Sequence, residues 1–496
     1  MNLLTVQKIR GDELKTIMHY TGFVIICIAS FMVIPVIISY IYADNFRYSF
    51  SFEISTLISL VIGLILYFTY NSKHISDLSL KGSLIFVMSI WIVAALFSAL
   101  PLVISGDLSF IDAYFEAMSG ITSTGFTMYT DIPVVYSVRM WRGLLQWFGG
   151  LGIIFMLLVL LPSSVSMKSL YFAEGKTEQM TPNIKHTSMI FIEVYSILTL
   201  LSISLYVLAG LDYFNAICYT FSGLGTGGFS ADPNNLNNFS NPLIQLVTMI
   251  IMIMGGINFI MHYNIMKGNI KNIFKDIELR YMFLFILLAT IIITFSLHQN
   301  NFYNGDLIIT AKHALFQVIS ILTSTGYQTT DINNWPALSY HVLILLMFIG
   351  GAVCSTAGGI KIYNVVIMIK AIWWETQAIF FPKHTIINRK LFHDNKLITI
   401  SLSLIKTTLV YILAYILIVA ISTIIVIYYC NDFQTAYTIV AGSVGNTGLG
   451  PSYINTSIPL VVKVLLIFDF LAGRIGIWPV LLPLAYLVNS IDEKIS

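Results

Sequence analysis

A chain of 496 residues that is 57% hydrophobic and only 10% charged cannot clothe a globule in water-compatible side chains, which makes this a polytopic membrane protein. The net charge of +2 gives no basis for a nucleic-acid partner. Four scattered cysteines, Cys27, Cys218, Cys354 and Cys430, form neither a disulfide framework nor a metal-ligand spacing.

Lys8, Arg10 and Lys15 precede an apolar run from Thr16 to Tyr42. That run exceeds the about 7–15 residues of a signal-peptide core and predicts an uncleaved membrane helix. Ile54 to Tyr70 pairs with it, so residues 1–72 form a tail and a two-helix hairpin. Four units of one plan follow, at 82–163, 188–266, 280–374 and 396–488. Each has an apolar span, a shorter helix-like segment, a glycine loop and a second span, which gives ten spans with the hairpin. The expected fold is therefore all-α, with four tandem helix–re-entrant loop–helix units around one pseudo-fourfold pore.

The four loops are copies of one frame: Thr122-Ser123-Thr124-Gly125-Phe126, Gly225-Thr226-Gly227-Gly228-Phe229, Thr323-Ser324-Thr325-Gly326-Tyr327 and Gly445-Asn446-Thr447-Gly448-Leu449. Their shared glycines recur at spacings of about 100 residues, as internal duplication requires. Twelve residues before each glycine stands Ala113, Ala216, Ala314 or Ala436. Six before it stands Ser119, Ser222, Ser320 or, in the fourth copy, Gly442. Ordinary polar turns between helices would not keep this register.

Most of the 26 Lys and Arg residues lie at the termini or between units, among them Lys73, Lys81, Lys168, Lys176, Lys185, Lys267, Lys271, Lys275, Arg280, Lys370, Lys383, Arg389, Lys390, Lys396 and Lys494. With an even number of spans these segments share one side, which the positive-inside rule makes cytoplasmic. Asp131, Asp232 and Asp331 follow the loops on the other side. Both termini are therefore expected inside and all four loops outward.

Segments such as Phe110–Ile121 and Leu307–Leu322 are too short to cross about 30 Å of hydrocarbon, so they must enter and return. Unpaired backbone at that depth is tolerated only where protein or water satisfies it, and four such loops around one axial path meet that demand. Each half-helix then aims its negative C-terminal end at the centre, favouring a cation. Loop carbonyls can replace a cation's hydration shell, and Gly125, Gly228, Gly326 and Gly448 let the chain turn them inward at positive φ. The hydroxyls of Thr122, Thr323 and Thr447 can add oxygens at the ends of the ladder.

Further stretches carry a resemblance that covers essentially the whole chain. Trp141-Arg142 with Gln146-Trp147-Phe148-Gly149-Gly150-Leu151-Gly152-Ile153, Gly256-Ile257-Asn258-Phe259 with His262-Tyr263, Ser355-Thr356-Ala357-Gly358-Gly359-Ile360-Lys361 and Gly473-Arg474 stand beside the four loops. Together they resemble the TrkH/KtrB superfamily of potassium transporters, and the N-terminal hairpin favours the TrkH branch. The resemblance implies potassium uptake across the cytoplasmic membrane. The ion would be held by Thr122, Ser123, Thr124, Gly125, Gly225, Thr226, Gly227, Gly228, Thr323, Ser324, Thr325, Gly326, Gly445, Asn446, Thr447 and Gly448. It implies an intramembrane gating loop at Ser355, Thr356, Ala357, Gly358, Gly359 and Lys361, and a pore arginine at Arg474. It also implies a homodimer and a cytosolic nucleotide-binding regulatory ring of the TrkA/KtrA type, with no organic cofactor in this chain. The basic segments 267–280 and 375–396, with Lys271, Lys275, Lys383 and Lys390, either dock that ring or only anchor topology. Asn446, Leu449 and Gly227 depart from the loop pattern, so a sodium-coupled or weakly selective monovalent cation transporter is the alternative.

Other readings fare less well. Gly223-Leu224-Gly225-Thr226-Gly227-Gly228 satisfies G-x-G-x-x-G, but neither a strand before it nor a helix after it supports a nucleotide site. A membrane-embedded enzyme would need converging carboxylates, histidines or a nucleophile, and none recurs in the units. A transporter of ammonium or a small solute would place its site at broken helices instead of on one axis. Gly149, Gly150 and Gly152 read as close helix packing, and His262 and His313 as span-edge or interface residues rather than ligands. Lys361 either snorkels to the interface or borders the path. Arg474, deep in an apolar run, should face protein or a water-filled path. Lys463 shares its helix face, nearer the outer surface, whereas Asp469 does not. The third unit's second span should break at Cys354–Gly359, where adjacent glycines and hydroxyl residues disfavour helix.

Overall fold

The computed structural model describes residues 11–70, 80–130, 135–152, 184–230, 241–269, 274–382, 389–393, 396–450 and 453–481. Asp131, Asp232, Ile153, Lys8, Arg10, Lys73, Lys168, Lys176, Lys271, Lys383 and Lys494 lie outside them. Among the described residues, six helices are long and apolar enough to cross a membrane: Gly11–Ile41, Phe46–Thr69, Gly82–Ile104, Ile184–Leu208, Ile277–Gln299 and Leu402–Cys430. Each buries only 33–50% of its most apolar window inside the protein, leaving the remaining apolar surface for lipid.

The first two helices form the N-terminal hairpin through a mutual glycine contact. A Cβ on Gly22 would stand 2.8 Å from the Gly63 carbonyl oxygen, and one on Gly63 would stand 3.0 Å from that of Gly22. Small residues allow that close backbone approach in a membrane.

Behind each apolar span lies a short helix: Phe110–Ile121, Tyr213–Leu224, Leu307–Leu322 and Phe433–Val444. Three of them have 12 residues, about 18 Å of helix at about 1.5 Å per residue. Each starts on an N-cap whose side-chain oxygen accepts a first-turn amide: Ser109, Asp212, Asp306 and Asp432. The alanines twelve residues before the loop glycines, Ala113, Ala216, Ala314 and Ala436, are all fully buried.

The second spans depart from the expected continuous helices. Among the described residues the third is not the only one interrupted. Helix Tyr136–Leu151 stops at Gly152 (φ 94°), and helix Leu460–Ile475 stops at Gly476 (φ 85°). Pro242–Gly256 bends by 105° into Phe259–Met266. Ala337–Ile349 stops at Gly350 (φ 72°), and helix resumes only at Ile362–Phe380, so this break is longer and begins earlier than Cys354. A second departure is a small antiparallel β-hairpin, Lys390–His393 with Lys396–Thr399, between the third and fourth units. Its Leu391 packs with Trp374 and Ile400.

The chain sorts into two compact units. One holds residues 1–122, 127–193 and 455–496, and the other holds 123–126 and 194–454. The four-residue insertion 123–126 thus belongs with the other three glycine loops.

Candidate functional site

The four loops share one backbone conformation. Each half-helix ends at position one of its loop, and position two is left-handed: Ser123 (φ 54°), Thr226 (50°), Ser324 (56°) and Asn446 (50°). The glycine at position four is left-handed as well: Gly125 (96°), Gly228 (77°), Gly326 (83°) and Gly448 (61°). Side chains other than glycine rarely adopt that region, and a β-branched residue such as Thr226 is an outlier there; each costs about 1–3 kcal/mol. The sequence marks the glycine position plainly but the second position hardly at all. Only Asn446, a residue type that tolerates left-handed backbone, hints at it.

Packing explains the glycines further. A Cβ on Gly125 would overlap the carbonyl oxygen of Gly227, and one on Gly228 that of Thr325. A Cβ on Gly326 would overlap the carbonyl of Thr447, and one on Gly448 that of Thr124. The loops therefore close on one another in chain order, first to second, second to third, third to fourth, and fourth to first. That is a ring of four, with the backbone of each copy against a carbonyl of the next.

In the second, third and fourth copies the small residue six before the glycine has a role in holding that ring. Its carbonyl accepts loop amides: Gly227 N–H to Ser222 (2.9 Å), Thr325 N–H to Ser320 (2.8 Å) and Thr447 N–H to Gly442 (2.9 Å). Ser320 Oγ also donates to the Tyr327 carbonyl at 2.7 Å, and the fourth copy, lacking a side chain there, brings the Leu449 carbonyl close to Gly442 instead. The position-one threonines donate backwards into their helices, Thr122 Oγ1 to Met118 O (2.7 Å) and Thr323 Oγ1 to Ile319 O (2.8 Å), and Thr323 Oγ1 also meets Thr325 Oγ1 at 2.8 Å. Asn446 Nδ2 donates to Thr124 Oγ1 at 2.8 Å, which ties the fourth loop to the first. Thr122, Ser123, Thr124, Thr226, Thr323, Ser324, Thr325, Asn446 and Thr447 are all buried.

The segment 350–361 lies against this ring. Thr356 Oγ1 stands 3.0 Å from Thr226 Oγ1, 3.0 Å from the Leu224 carbonyl and 2.9 Å from that of Gly255. A Cβ on Gly358 would stand 2.7 Å from Asn446 Cβ. The segment also interlocks with the bend of the second unit, through Ala352 N–H to Gly256 O (3.0 Å), Thr356 N–H to Gly255 O (3.1 Å) and Phe259 N–H to Cys354 O (3.2 Å). Ser355 Oγ donates to Ala352 O at 2.5 Å, and Lys361 folds its ammonium back onto the Ala357 carbonyl. Lys361 thus serves the segment itself. His262 fastens the same bend, its Nε2 2.8 Å from the Met254 carbonyl, while His313 stacks on Tyr303 and meets Thr329 Oγ1 at 3.0 Å.

The other unit carries two buried cations, Arg142 and Lys463, and a partly buried one, Arg474. Arg142 Nε pairs with Glu116 at 2.8 Å, and Glu116 also accepts Thr127 Oγ1 (3.0 Å) and the Met128 amide (2.8 Å). This fastens the chain leaving the first loop to the half-helix entering it. Lys463 pairs with Asp112 and donates to the Thr456 carbonyl at 2.8 Å. It is only 5% exposed. Arg474 donates to the carbonyls of Gly149 and Gly150, the latter at 2.8 Å. Positive charge at that helix C-terminus is favourable. Gly149 is packed as closely as expected, since a Cβ there would overlap the Ile121 carbonyl. Neither ion pair is apparent from sequence, because partners 26 and 351 residues apart leave no local pattern.

Comparison with known proteins agrees with this architecture. Residues 49–491 match the family model described as TrkH, cation transport protein. The chain is 30% identical to an uncharacterized cation transporter of Methanocaldococcus jannaschii, over 97% of each chain. It is 29% identical to the Trk system potassium uptake protein TrkH of Escherichia coli K12, over 94% of this chain and 97% of that protein. Among solved structures it is similar to the potassium transporter TrkH from Vibrio parahaemolyticus, with a TM-score of 0.84, 25% identity, and coverage of 95% and 98%.

Proposed function

The chain belongs to the TrkH family of cation transport proteins, and from that premise we propose that it takes up potassium through an axial pore at the ring of loops. The ring itself carries the reading. Four loops of one conformation meet in cyclic order, and each brings backbone carbonyls against the next. Carbonyl cages of this kind substitute for the hydration shell of a monovalent cation. The half-helices behind them end at the loops, which adds negative potential there. Ligands come from the backbone of residues 122–125, 225–228, 323–326 and 445–448, with the Thr122, Thr323 and Thr447 hydroxyls as additional oxygens. Membership also makes this a multi-pass membrane transporter, and its named relatives are transporters rather than enzymes.

The segment 350–361 acts as the gate. It abuts loop residues Thr226 and Asn446, and it is built from glycines and hydroxyl residues that can change conformation without a large side-chain rearrangement. Arg474 adds a fixed positive charge at its own break, following Gly448 by nearly the interval at which Ser355 follows Gly326. A cytosolic nucleotide-binding subunit, docked on basic segments that include the exposed Lys275 and Lys390, would straighten the third span. The chain would work as a homodimer in the cytoplasmic membrane, with both termini inside.

The test is uptake of labelled rubidium by cells lacking other potassium systems, with sodium and ammonium as competitors. Saturable rubidium uptake that potassium inhibits and ammonium does not supports the proposal. Sodium competing as well as potassium would replace it with a weakly selective cation pathway.

A further inference from the structure

Away from the loops, the described residues bring together one cluster of metal-ligating side chains. Carboxylate oxygens of Asp276 and Glu278 and a ring nitrogen of His393 all lie within 4.8 Å of one another. All three residues are buried, at 2%, 0% and 2% exposed. We propose that they form a binding site for a divalent transition-metal cation of the zinc class, and that the bound metal clamps the segment 350–361.

Each ligand is oriented by a second contact. Asp276 uses Oδ1 to cap helix Ile277–Gln299, accepting the Glu278 amide at 2.9 Å, and its Oδ2 lies 3.3 Å from His393 Nδ1. Glu278 divides its oxygens the same way. Oε1 accepts the Val353 amide at 2.9 Å, and Oε2 lies 4.0 Å from His393 Nδ1. His393, at the end of its strand, is held by stacking on Tyr363 at 4.7 Å. Carboxylate ligands of metals are themselves commonly hydrogen-bonded, as both carboxylates are here to backbone amides.

Spacing and charge fit the ion. Two donors about 2.1 Å from a tetrahedral zinc stand about 3.4 Å apart. The His393–Asp276 pair is already at that separation, at 3.3 Å, and the Glu278 oxygen stands 4.0 Å from the same nitrogen. A dication balances two carboxylates beside a neutral imidazole, whereas an imidazolium balances one. A nitrogen donor with two carboxylates suits zinc, manganese or iron(II) rather than calcium or magnesium. Val353 lies inside the segment and Tyr363 in the first turn of the helix Ile362–Phe380 after it, so a metal on Glu278 and His393 restrains both ends at once. That consequence rests on the gating role proposed above; the metal site does not.

The experiment uses the purified full chain, freed of any polyhistidine tag and stripped with chelator, then equilibrated with zinc and desalted for elemental analysis. Wild type should retain one more zinc per chain than His393→Ala, whose affinity at this site should fall by about tenfold or more. His393→Cys, which supplies a thiolate, should restore binding and give a cobalt(II) charge-transfer absorption band. Equal zinc content in wild type and His393→Ala, with both proteins melting alike in chelator, overturns the site and leaves a histidine–carboxylate ion pair. Rubidium flux in liposomes then reads the clamp. Zinc should slow wild type and not His393→Ala. Zinc that binds stoichiometrically without changing flux overturns the clamp alone, and a chain that conducts no rubidium at all is instead a failure of the pore reading.

Discussion

The paired breaks behind the second and third loops are satisfied very differently from the helix end behind the first. In the second and third units the freed backbone is answered by other backbone: Ala352, Thr356 and Phe259 donate across the paired breaks to Gly256, Gly255 and Cys354. In the first unit the freed carbonyls of Gly149 and Gly150 are answered by one side chain, Arg474 of the fourth. Backbone groups released inside a membrane must find partners. A strap of many small residues can exchange such partners one at a time, which suits a moving part. A single guanidinium holds several donors in a fixed fork and suits a fixed post.

The largest effect is expected where either kind of break would lose its purpose, in the loop ring. Gly326→Val places a β-branched side chain at φ 83° and drives its Cβ into the Thr447 carbonyl. Rubidium uptake should fall to background, with membrane insertion unchanged by protease protection. Thr226→Gly is the opposite change: it relieves a left-handed threonine but removes the buried hydroxyl contact to Thr356 at 3.0 Å, two effects of about 1–2 kcal/mol each that offset, so the fold should stay intact. Selective uptake by Gly326→Val would show that the ring is not the pathway.

That pair of substitutions also marks what is legible in sequence. The fourth loop position reads directly as glycine because no other residue fits, and the tandem frame, the short half-helices and the N-terminal hairpin follow from pattern and length. The second position is hidden, since Ser123, Thr226 and Ser324 look like ordinary turn residues and their left-handed backbone is imposed by closure of the ring. The breaks at Gly152, Ile257 and Gly476 are hidden for a related reason. Each begins at one residue of an apolar run, and a partner such as Arg474 for Gly149 comes from distant chain. Ser109, Asp212, Asp306 and Asp432 could have been found as N-caps from their place before each short helix.

Next in size are the buried charges beside the fixed post. Glu116→Gln leaves Arg142 without its counter-charge at 2% exposure and loosens Thr127 and Met128. Breaking a buried pair from one side costs about 3–5 kcal/mol. Thermal unfolding in detergent should show a loss of that order, and the Glu116→Gln/Arg142→Met double variant should recover part of it. No loss in the single variant would mean that the pair does not stabilise the first loop.

The strap and the post should then separate by flux. Removing Ala357, Gly358 and Gly359 shortens the proposed gate, and Arg474→Ala removes the proposed barrier charge; either should raise liposome rubidium flux several-fold and weaken dependence on the regulatory subunit. Arg474→Lys keeps the charge but not the fork, so flux should stay near wild type while stability falls by about 1–3 kcal/mol from the poorly satisfied carbonyls. Unchanged flux in the deletion and in Arg474→Ala, with both folded, would make both features packing kinks only.

The smallest change tests whether the strap is held by its own hydrogen bonds. Thr356 Oγ1 lies within 3.0 Å of Thr226 Oγ1 and of the Leu224 and Gly255 carbonyls, so this one hydroxyl touches a loop, a half-helix end and a bend. Thr356→Val keeps the shape and removes the hydroxyl, leaving buried oxygens less well satisfied at a cost of about 1–3 kcal/mol. Thr356→Ser keeps the hydroxyl and should behave as wild type. If the closed strap is favoured by only a few kcal/mol, as switching elements are, that loss raises the open population and flux rises, though by less than in the deletion. Amide exchange locates the effect: Ala352 and Phe259, which donate across the paired breaks, should exchange faster in Thr356→Val, while Ile360 and Lys361, bonded to Phe348 and Ile349 on the strap's own helix, should not. Uniformly faster exchange would signify general destabilisation instead, and unaltered exchange with unaltered flux would show that the backbone bonds alone hold the strap.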